Sequence, residues 1–303
     1  MKRFLLKLLF IAIITISADR LLALAAAHFY RTATTTDEYK LNQVTYHMLA
    51  PLIFMGSSRC HHHYVPAIIA DSLKTDVYNA GLWGMRNIYF QYSLLSNILE
   101  HYTPKTIVLE IHPIDYLQTP FSDLETMGAL APFIHHSAGC DKTLKKAGFY
   151  YKNLFSHLYR YNSQFANLLF GNISLRTDPA DAGFKPLSGT LDTTQRKIEP
   201  EKFPFAPDQE KIKYLQAFIE KCQEKGIKLL FIYSPMYAVE KNSRLFDIPA
   251  DLALKNNVPF INHYYLEGIT NHREYYFDYG HLNTEGAKKY SSIVASELRK
   301  YVE

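Results

Sequence analysis

Leu52-Ile53-Phe54-Met55-Gly56-Ser57-Ser58-Arg59 is the stretch on which the fold turns. Four apolar residues stop at a glycine, which reads as a short buried strand followed by a sharp turn. Working outward, the pattern recurs. Thr75–Ala80 is a second candidate strand, closed by Asn79-Ala80-Gly81 and followed by Leu82-Trp83-Gly84. Met85–His101 carries Ile88, Tyr92, Leu95 and Leu99 at helical spacing and stops before Pro104. Thr106–Ile111 is a third strand with a β-branched start. The alternation resumes after Pro207-Asp208, a helix start, with Ile212, Leu215, Ile219 and Cys222 on one stripe and Gly226 as the stop. Ile227–Tyr233 and Val258–Ile261 are the fourth and fifth strands. A last helix from about Thr284 aligns Ala287, Tyr290, Val294, Leu298 and Tyr301. This order predicts an α/β, three-layer fold, a mainly parallel five-stranded sheet with helices on both faces. Residues 112–207 form an insert after strand three, with a helix expected from about Lys142 to Phe170 and then a Gly/Pro/Asp/Thr-rich stretch to Pro204.

The N-terminus follows different rules. Lys2, Arg3 and Lys7 precede an apolar run from Leu8 to Ala18, which Asp19-Arg20 interrupts and Leu21–Ala27 resumes. A cleaved signal peptide fits the charged start and the small residues Ala25-Ala26-Ala27. A signal anchor fits better: Phe4–Leu24 is long enough to span if Asp19 and Arg20 pair or snorkel at the outer boundary. A buried core helix is the remaining reading. Either exported reading leaves the basic start in the cytoplasm and carries the rest across. Residues 1–28 are therefore read as anchor or signal, 29–44 as a connector and 45–303 as the folded domain.

Charge excludes one class of function. The net charge is +4, and the first 20 residues supply +3 of it, leaving about +1 over the rest. A strongly basic nucleic-acid surface is not expected. Three widely spaced cysteines, Cys60, Cys140 and Cys222, exclude a disulfide scaffold and a CxxC zinc site, leaving room for one disulfide.

In an open parallel sheet, ligands bind beyond the carboxyl ends of the strands. There the sequence places Ser58 after strand one, Gly81 and Gly84 after strand two, His112 after strand three and Asp278-Tyr279-Gly280-His281 before the last helix. A serine hydroxyl is a weak nucleophile until a base takes its proton. A histidine does that near neutral pH, and a carboxylate fixes its tautomer. Ser58, Asp278 and His281 are the candidate catalytic residues. Ser58 at a helix start and Gly84, with no Cβ to block approach, offer backbone N–H groups to a developing oxyanion, and Gly81, the ring N–H of His112 and Arg59 are further oxyanion or substrate-binding candidates.

These blocks resemble those of the SGNH/GDSL hydrolases. Gly56-Ser57-Ser58 matches their first block with Ser57 where Asp is usual, Asn79-x-x-x-x-Gly84 the second, and Asp278-x-x-His281-Leu282-Asn283-x-x-Gly286 the last. The likeness covers roughly 50–110 and 208–303. It implies an SGNH/flavodoxin-like fold and a serine esterase or acyltransferase without cofactor. The leading anchor and the Gly-Ser-Ser and Asp-x-x-His-Leu-Asn blocks are similar to those of exported, membrane-anchored members of the teichoic-acid D-alanylation and alginate O-acetylation type. That similarity implies an O-acylated carbohydrate or cell-surface polymer as substrate and a membrane-bound O-acyltransferase as partner. One departure stands out. The family's third block has an Asn as oxyanion donor, and here Glu110-Ile111-His112-Pro113 occupies its place. This favours the rival reading, a catalytically weak binding or assembly factor on the same fold.

Other features have blander readings. Neighbouring side chains on a helix point in different directions, so His61-His62-His63 is not expected to hold a metal. One of them lining the pocket is an option, with surface or packing roles ahead of it. Arg59 meets either an anionic substrate group or a structural ion-pair partner. Trp83 is core or pocket wall. No GxGxxG or Walker pattern follows any strand.

Overall fold

A computed structural model describes residues 1–84, 86–119, 124–162, 164–173, 182–192, 194, 206–237, 239 and 243–302. Met85 and most of the Gly/Pro/Asp/Thr-rich stretch lie outside the described residues. The chain opens with α1 (Lys2–Thr32) and α2 (Thr36–Asn42). It continues through β1 (Leu52–Met55), α3 (Ser58–His63), α4 (Pro66–Leu73), β2 (Val77–Asn79), α5 (Ile88–Ile98) and β3 (Thr106–Glu110). Then come α6 (Ala138–Lys146), α7 (Phe149–Phe155), α8 (Phe165–Ile173) and α9 (Gln209–Glu224). β4 (Lys228–Tyr233), α10 (Asp247–Lys255), β5 (Phe260–Asn262) and α11 (Thr284–Val302) complete it.

The five strands form one parallel sheet in the order β2-β1-β3-β4-β5, with Leu52 opposite Val77 and Thr106, and Thr106 opposite Lys228. Alternate residues of each strand enter different cores. Ile53, Met55, Ile107, Leu109 and Phe231 pack under α5 and α9, while Leu52, Phe54, Val108, Leu230 and Ile232 pack under α4 and α11. Burial on both faces explains why the strands are near-continuous apolar runs. The three-layer expectation holds, and so do the stripes: Leu215, Ile219 and Cys222 of α9 and Ala287, Tyr290, Val294 and Leu298 of α11 are buried. The chain leaves β1 toward β2 on one side and returns to β3 on the other. The crevice beyond their carboxyl ends is therefore the topological switch point.

Two expectations are corrected. The single helix expected over 142–170 is divided into α6, α7 and α8, with a break around Ala147-Gly148, where Gly148 takes φ 74°. The stretch read as a connector is instead folded against the domain: α2 buries Glu38, Lys40, Leu41 and Asn42. Lys40 is held there because its ammonium group donates to the carbonyls of Gly81 and Gly183. Cys60, Cys140 and Cys222 are free and buried.

Candidate active site

Gly56 turns the chain from β1 into α3 with φ 153°, and a Cβ there would meet Cys60 Cβ and Glu110 Cβ at 2.9 Å. The turn therefore needs glycine. It sets Ser58 at the first position of α3. On the far side of the crevice, Asn283 locks the loop before α11. Its amide donates to the carbonyls of Gly189 and Glu274, both at 2.8 Å, and its side-chain oxygen accepts from Gly286 N–H at 3.0 Å. These two fixtures bring together residues 223 positions apart. Ser58 Oγ lies 2.8 Å from His281 Nε2, and His281 Nδ1 lies 2.9 and 3.0 Å from the two oxygens of Asp278.

Asp278 Oδ1 also accepts the backbone N–H groups of Gly280 and His281, each at 2.8 Å. Burial works to raise the Asp278 pKa, but the hydrogen bond and charge of His281 and these two N–H groups outweigh it and hold the carboxyl below its usual range. An ionised carboxylate at Nδ1 keeps that nitrogen protonated. Nε2 is then free to accept the serine proton.

The remaining sequence candidates divide. Trp83 is not core: it is half-exposed (51 %), and its ring stacks on His281 at 5.9 Å between centroids. Gly84, with φ 88°, follows it directly, so the loop after β2 lies beside the His281 ring. His112 stacks on Tyr233 after β3. Its Nδ1 accepts the N–H of Ile114 at 3.3 Å, which leaves the proton of the neutral ring on Nε2. Burial, with the nearby charge of Arg59, pushes its pKa down to about 3.

Two candidates are corrected as substrate or oxyanion groups. Gly81 N–H is already used, donating to Asn79 Oδ1 at 3.0 Å. A Cβ on Gly81 would come within 2.4 Å of His61 N, so this glycine permits close packing of its loop on α3. Arg59 is buried under the site and paired with Glu110, Nε to Oε1 at 3.2 Å, and its guanidinium lies 4.3 Å over the Tyr233 ring. An acid at the end of a fully buried strand requires a partner, and Arg59 is that partner.

Sequence reasoning missed a buried chain of hydrogen bonds behind the triad. Leu282 N–H, next to His281, donates to His63 Nε2 at 2.9 Å. His63 Nδ1–H then donates to Ser234 Oγ at 2.7 Å, and Ser234 Oγ–H donates to Glu110 Oε1 at 2.7 Å. Tyr64 hydroxyl donates to the other Glu110 oxygen. Burial first, then Arg59, hold the His63 pKa well below the usual range, which suits a ring that must accept one hydrogen bond and donate another. The signal was present: Ser234 directly follows a strand end, and Glu110 is a lone acid in an apolar strand.

All three consecutive histidines are buried rather than on the surface. His62 and His63 both set ring edges against His281, at 5.8 and 6.1 Å. His62, whose pKa burial lowers to about 4, also meets Trp83 edge-on at 5.0 Å. Together His62 and Trp83 form one side of an open cavity of about 220 Å³, whose other walls include Lys40, His61, Lys185 and Leu187.

No family model matches the chain, and no curated protein matches it. Solved structures similar in outline include the following three. One is a lipolytic protein of the G-D-S-L family from Desulfitobacterium hafniense DCB-2, at 10 % identity and TM-score 0.42, covering 81 % of this chain and 98 % of that one. Another is an acetyl xylan esterase at 14 % identity and TM-score 0.37, covering 83 % of this chain and 100 % of the other. The third is an acylhydrolase from Bacteroides fragilis NCTC 9343 at 10 % identity and TM-score 0.35, covering 83 % and 88 %.

Proposed function

We propose that this chain is a membrane-anchored SGNH-type serine enzyme outside the cytoplasm, which moves an acyl group from or to a hydroxyl of a cell-surface carbohydrate. The observation that carries the reading is the Ser58–His281–Asp278 relay, with its 2.8 Å and 2.9 Å links. In the first half-reaction His281 Nε2 takes the Ser58 proton while Oγ bonds to the ester carbonyl carbon. The resulting oxyanion is met by the backbone N–H groups of Ser58 and Gly84 and by His112 Nε2–H in place of the family's Asn. Collapse breaks the ester C–O bond, and His281 returns the proton to the leaving hydroxyl. In the second half, water or a sugar hydroxyl gives its proton to His281 and attacks the acyl-Ser58 carbonyl carbon; the C–Oγ bond then breaks and His281 returns the proton to Ser58 Oγ. Esterase and transferase differ in that acceptor alone.

The cavity beside Trp83 is smaller than the roughly 300 Å³ at which drug-sized sites begin. Its size suits an acyl group or a single sugar ring. An anchor, rather than a cleaved signal, is supported by the burial of Ala23 and Ala26 of α1 in the domain, packing that cleavage after Ala27 would remove. Lys2–Thr32 is also long and apolar enough to cross a bilayer. On this reading a membrane-bound O-acyltransferase supplies or receives the acyl group. The rival, an assembly factor without chemistry, draws on the loss of the third-block Asn.

Full-length protein treated with a fluorophosphonate probe separates the two. Labelling of the wild type that is abolished in a folded Ser58→Ala variant supports the enzyme. A folded wild type that never labels or cleaves a small acetyl ester supports the assembly factor.

A further inference from the structure

Asp19 and Arg20 interrupt the apolar face of α1, and the structure shows what they do there. Asp19 accepts from Ser156 Oγ and from the backbone N–H groups of His157 (2.9 Å) and Leu158 (3.3 Å). Arg20 pairs with Asp19 and donates to Phe155 O at 3.4 Å. The anchor is thus bolted to the turn that follows α7. That turn is flanked by exposed apolar side chains: Phe155 is 89 % exposed, and Tyr151 and the partly covered Leu154 stand beside it on α7.

A second exposed face lies on α8, where Phe165, Leu169, Phe170 and Ile173 point outward while Leu168 and Gly171 pack inward. This helix is also tied to the end of α1 and the residues just past it: Asn172 Nδ2 donates to Phe29 O at 2.8 Å, and Thr34 N–H donates to Gly171 O at 3.0 Å. Between the two ties, a cleft of about 300 Å³ lined by Ala23, Leu24 and Ala27 brings Arg20 and Arg160 together.

We infer that α7 and α8 form a lipid-embedded collar around the outer end of α1. The inference rests on α1 spanning the bilayer. At about 1.5 Å per residue, Phe4–Leu24 covers about 30 Å, the thickness of the hydrocarbon core. Asp19 then lies roughly 7 Å inside the outer boundary, and the backbone groups of 155–158 satisfy its oxygens at that depth. Phe155, attached to the same turn, enters the acyl region. The α8 tie at Phe29 is about 8 Å beyond Leu24, near the outer edge of the headgroup layer, where interfacial helices rest their apolar faces. Arg20 lies about 6 Å inside that boundary, where its guanidinium is held by Asp19 and the Phe155 carbonyl rather than left to the lipid. Exposed Leu21, Leu22 and Leu24 make the apolar surface of α1 continuous with the collar.

The test uses the full chain in lipid nanodiscs containing lipids with quencher-bearing acyl chains. The native cysteines are buried, so single Phe10→Cys, Phe155→Cys, Phe170→Cys and Leu254→Cys variants take a fluorophore selectively. Leu254 is the exposed apolar control on α10. The collar predicts loss of emission at positions 10 and 155, a smaller loss at 170, and none at 254. Quenching at 10 with positions 155 and 170 as bright as 254 leaves the span standing and overturns the collar. Quenching at 155 but not 170 overturns the α8 arm. No quenching at 10 removes the span itself, and the collar with it. Equal quenching at 254 and 155 also overturns the inference, because the contact is then unspecific.

Discussion

Replacing Asp278 by Asn tests the relay while disturbing little else. The Asn side-chain oxygen can take over the Oδ1 position, where Asp278 accepts Gly280 N–H and His281 N–H at 2.8 Å, so the turn before α11 keeps its two backbone bonds. The amide nitrogen must then face His281 Nδ1, where the carboxylate oxygen now stands at 2.9 Å. An NH₂ group donates to a bare Nδ1 and repels a protonated one, which outweighs the retained oxygen at 3.0 Å and draws the ring proton to Nε2. That nitrogen can no longer take the proton of Ser58 from 2.8 Å away. A wrong tautomer of this kind lowers acylation by up to about 10⁴, which is about 5.5 kcal/mol of transition-state stabilisation. Probe labelling rate and acetyl-ester turnover are the readouts, with thermal unfolding as the check on structure. His281→Ala should be at least as slow. The double variant should be little slower than the worse single one, since groups acting as a unit are not additive. An Asp278→Asn protein that stays folded and works within ten-fold of the wild type would refute the relay, and with it the main case for chemistry at Ser58.

Three further outcomes follow from the same geometry. His63→Leu leaves Leu282 N–H without its acceptor and removes one of the two donors to Ser234 Oγ, Arg59 Nη2 at 2.9 Å being the other, so denaturant unfolding should show a loss of about 1–3 kcal/mol; an unchanged midpoint would mean the buried chain behind the triad is idle. His112→Ala should slow ester turnover by about 10²–10³ with little change in KM, and His112→Asn should recover much of it; a wild-type rate in the alanine variant removes His112 from the oxyanion site. Acid should destabilise the protein: burial lowers the folded pKa of His61, His62 and His63, so below about pH 6.5 the unfolded chain binds protons that the folded one refuses. Asp115, raised to about 7, and Asp37, also raised, act in the opposite sense but are fewer. The net loss between pH 6 and 5 is about 1–3 kcal/mol per unit, and a melting temperature that rises over that interval contradicts the buried-neutral histidines.

What the sequence determined by itself was periodic or local. The strands at 52–55, 106–110 and 228–233 are legible because a strand buried on both faces must be apolar throughout. The α9 and α11 stripes are legible because one helical face meets the sheet. Ser58, Asp278 and His281 could be singled out because the strand-end rule confines chemistry to a few loops. Tertiary structure decided everything that depends on partners distant in the chain. The polar stretch 31–42 looks like a linker until Lys40 finds the carbonyls of Gly81 and Gly183, and Arg59 looks like an anion-binding group until Glu110 claims it. Neither partner is visible in the local pattern, because a buried charge is stabilised by whichever opposite group the fold delivers, not by its sequence neighbours. The same holds for His63, whose value lies in one amide 219 residues away, and for Asp19, which interrupts an apolar helix to bind a turn 137 residues on.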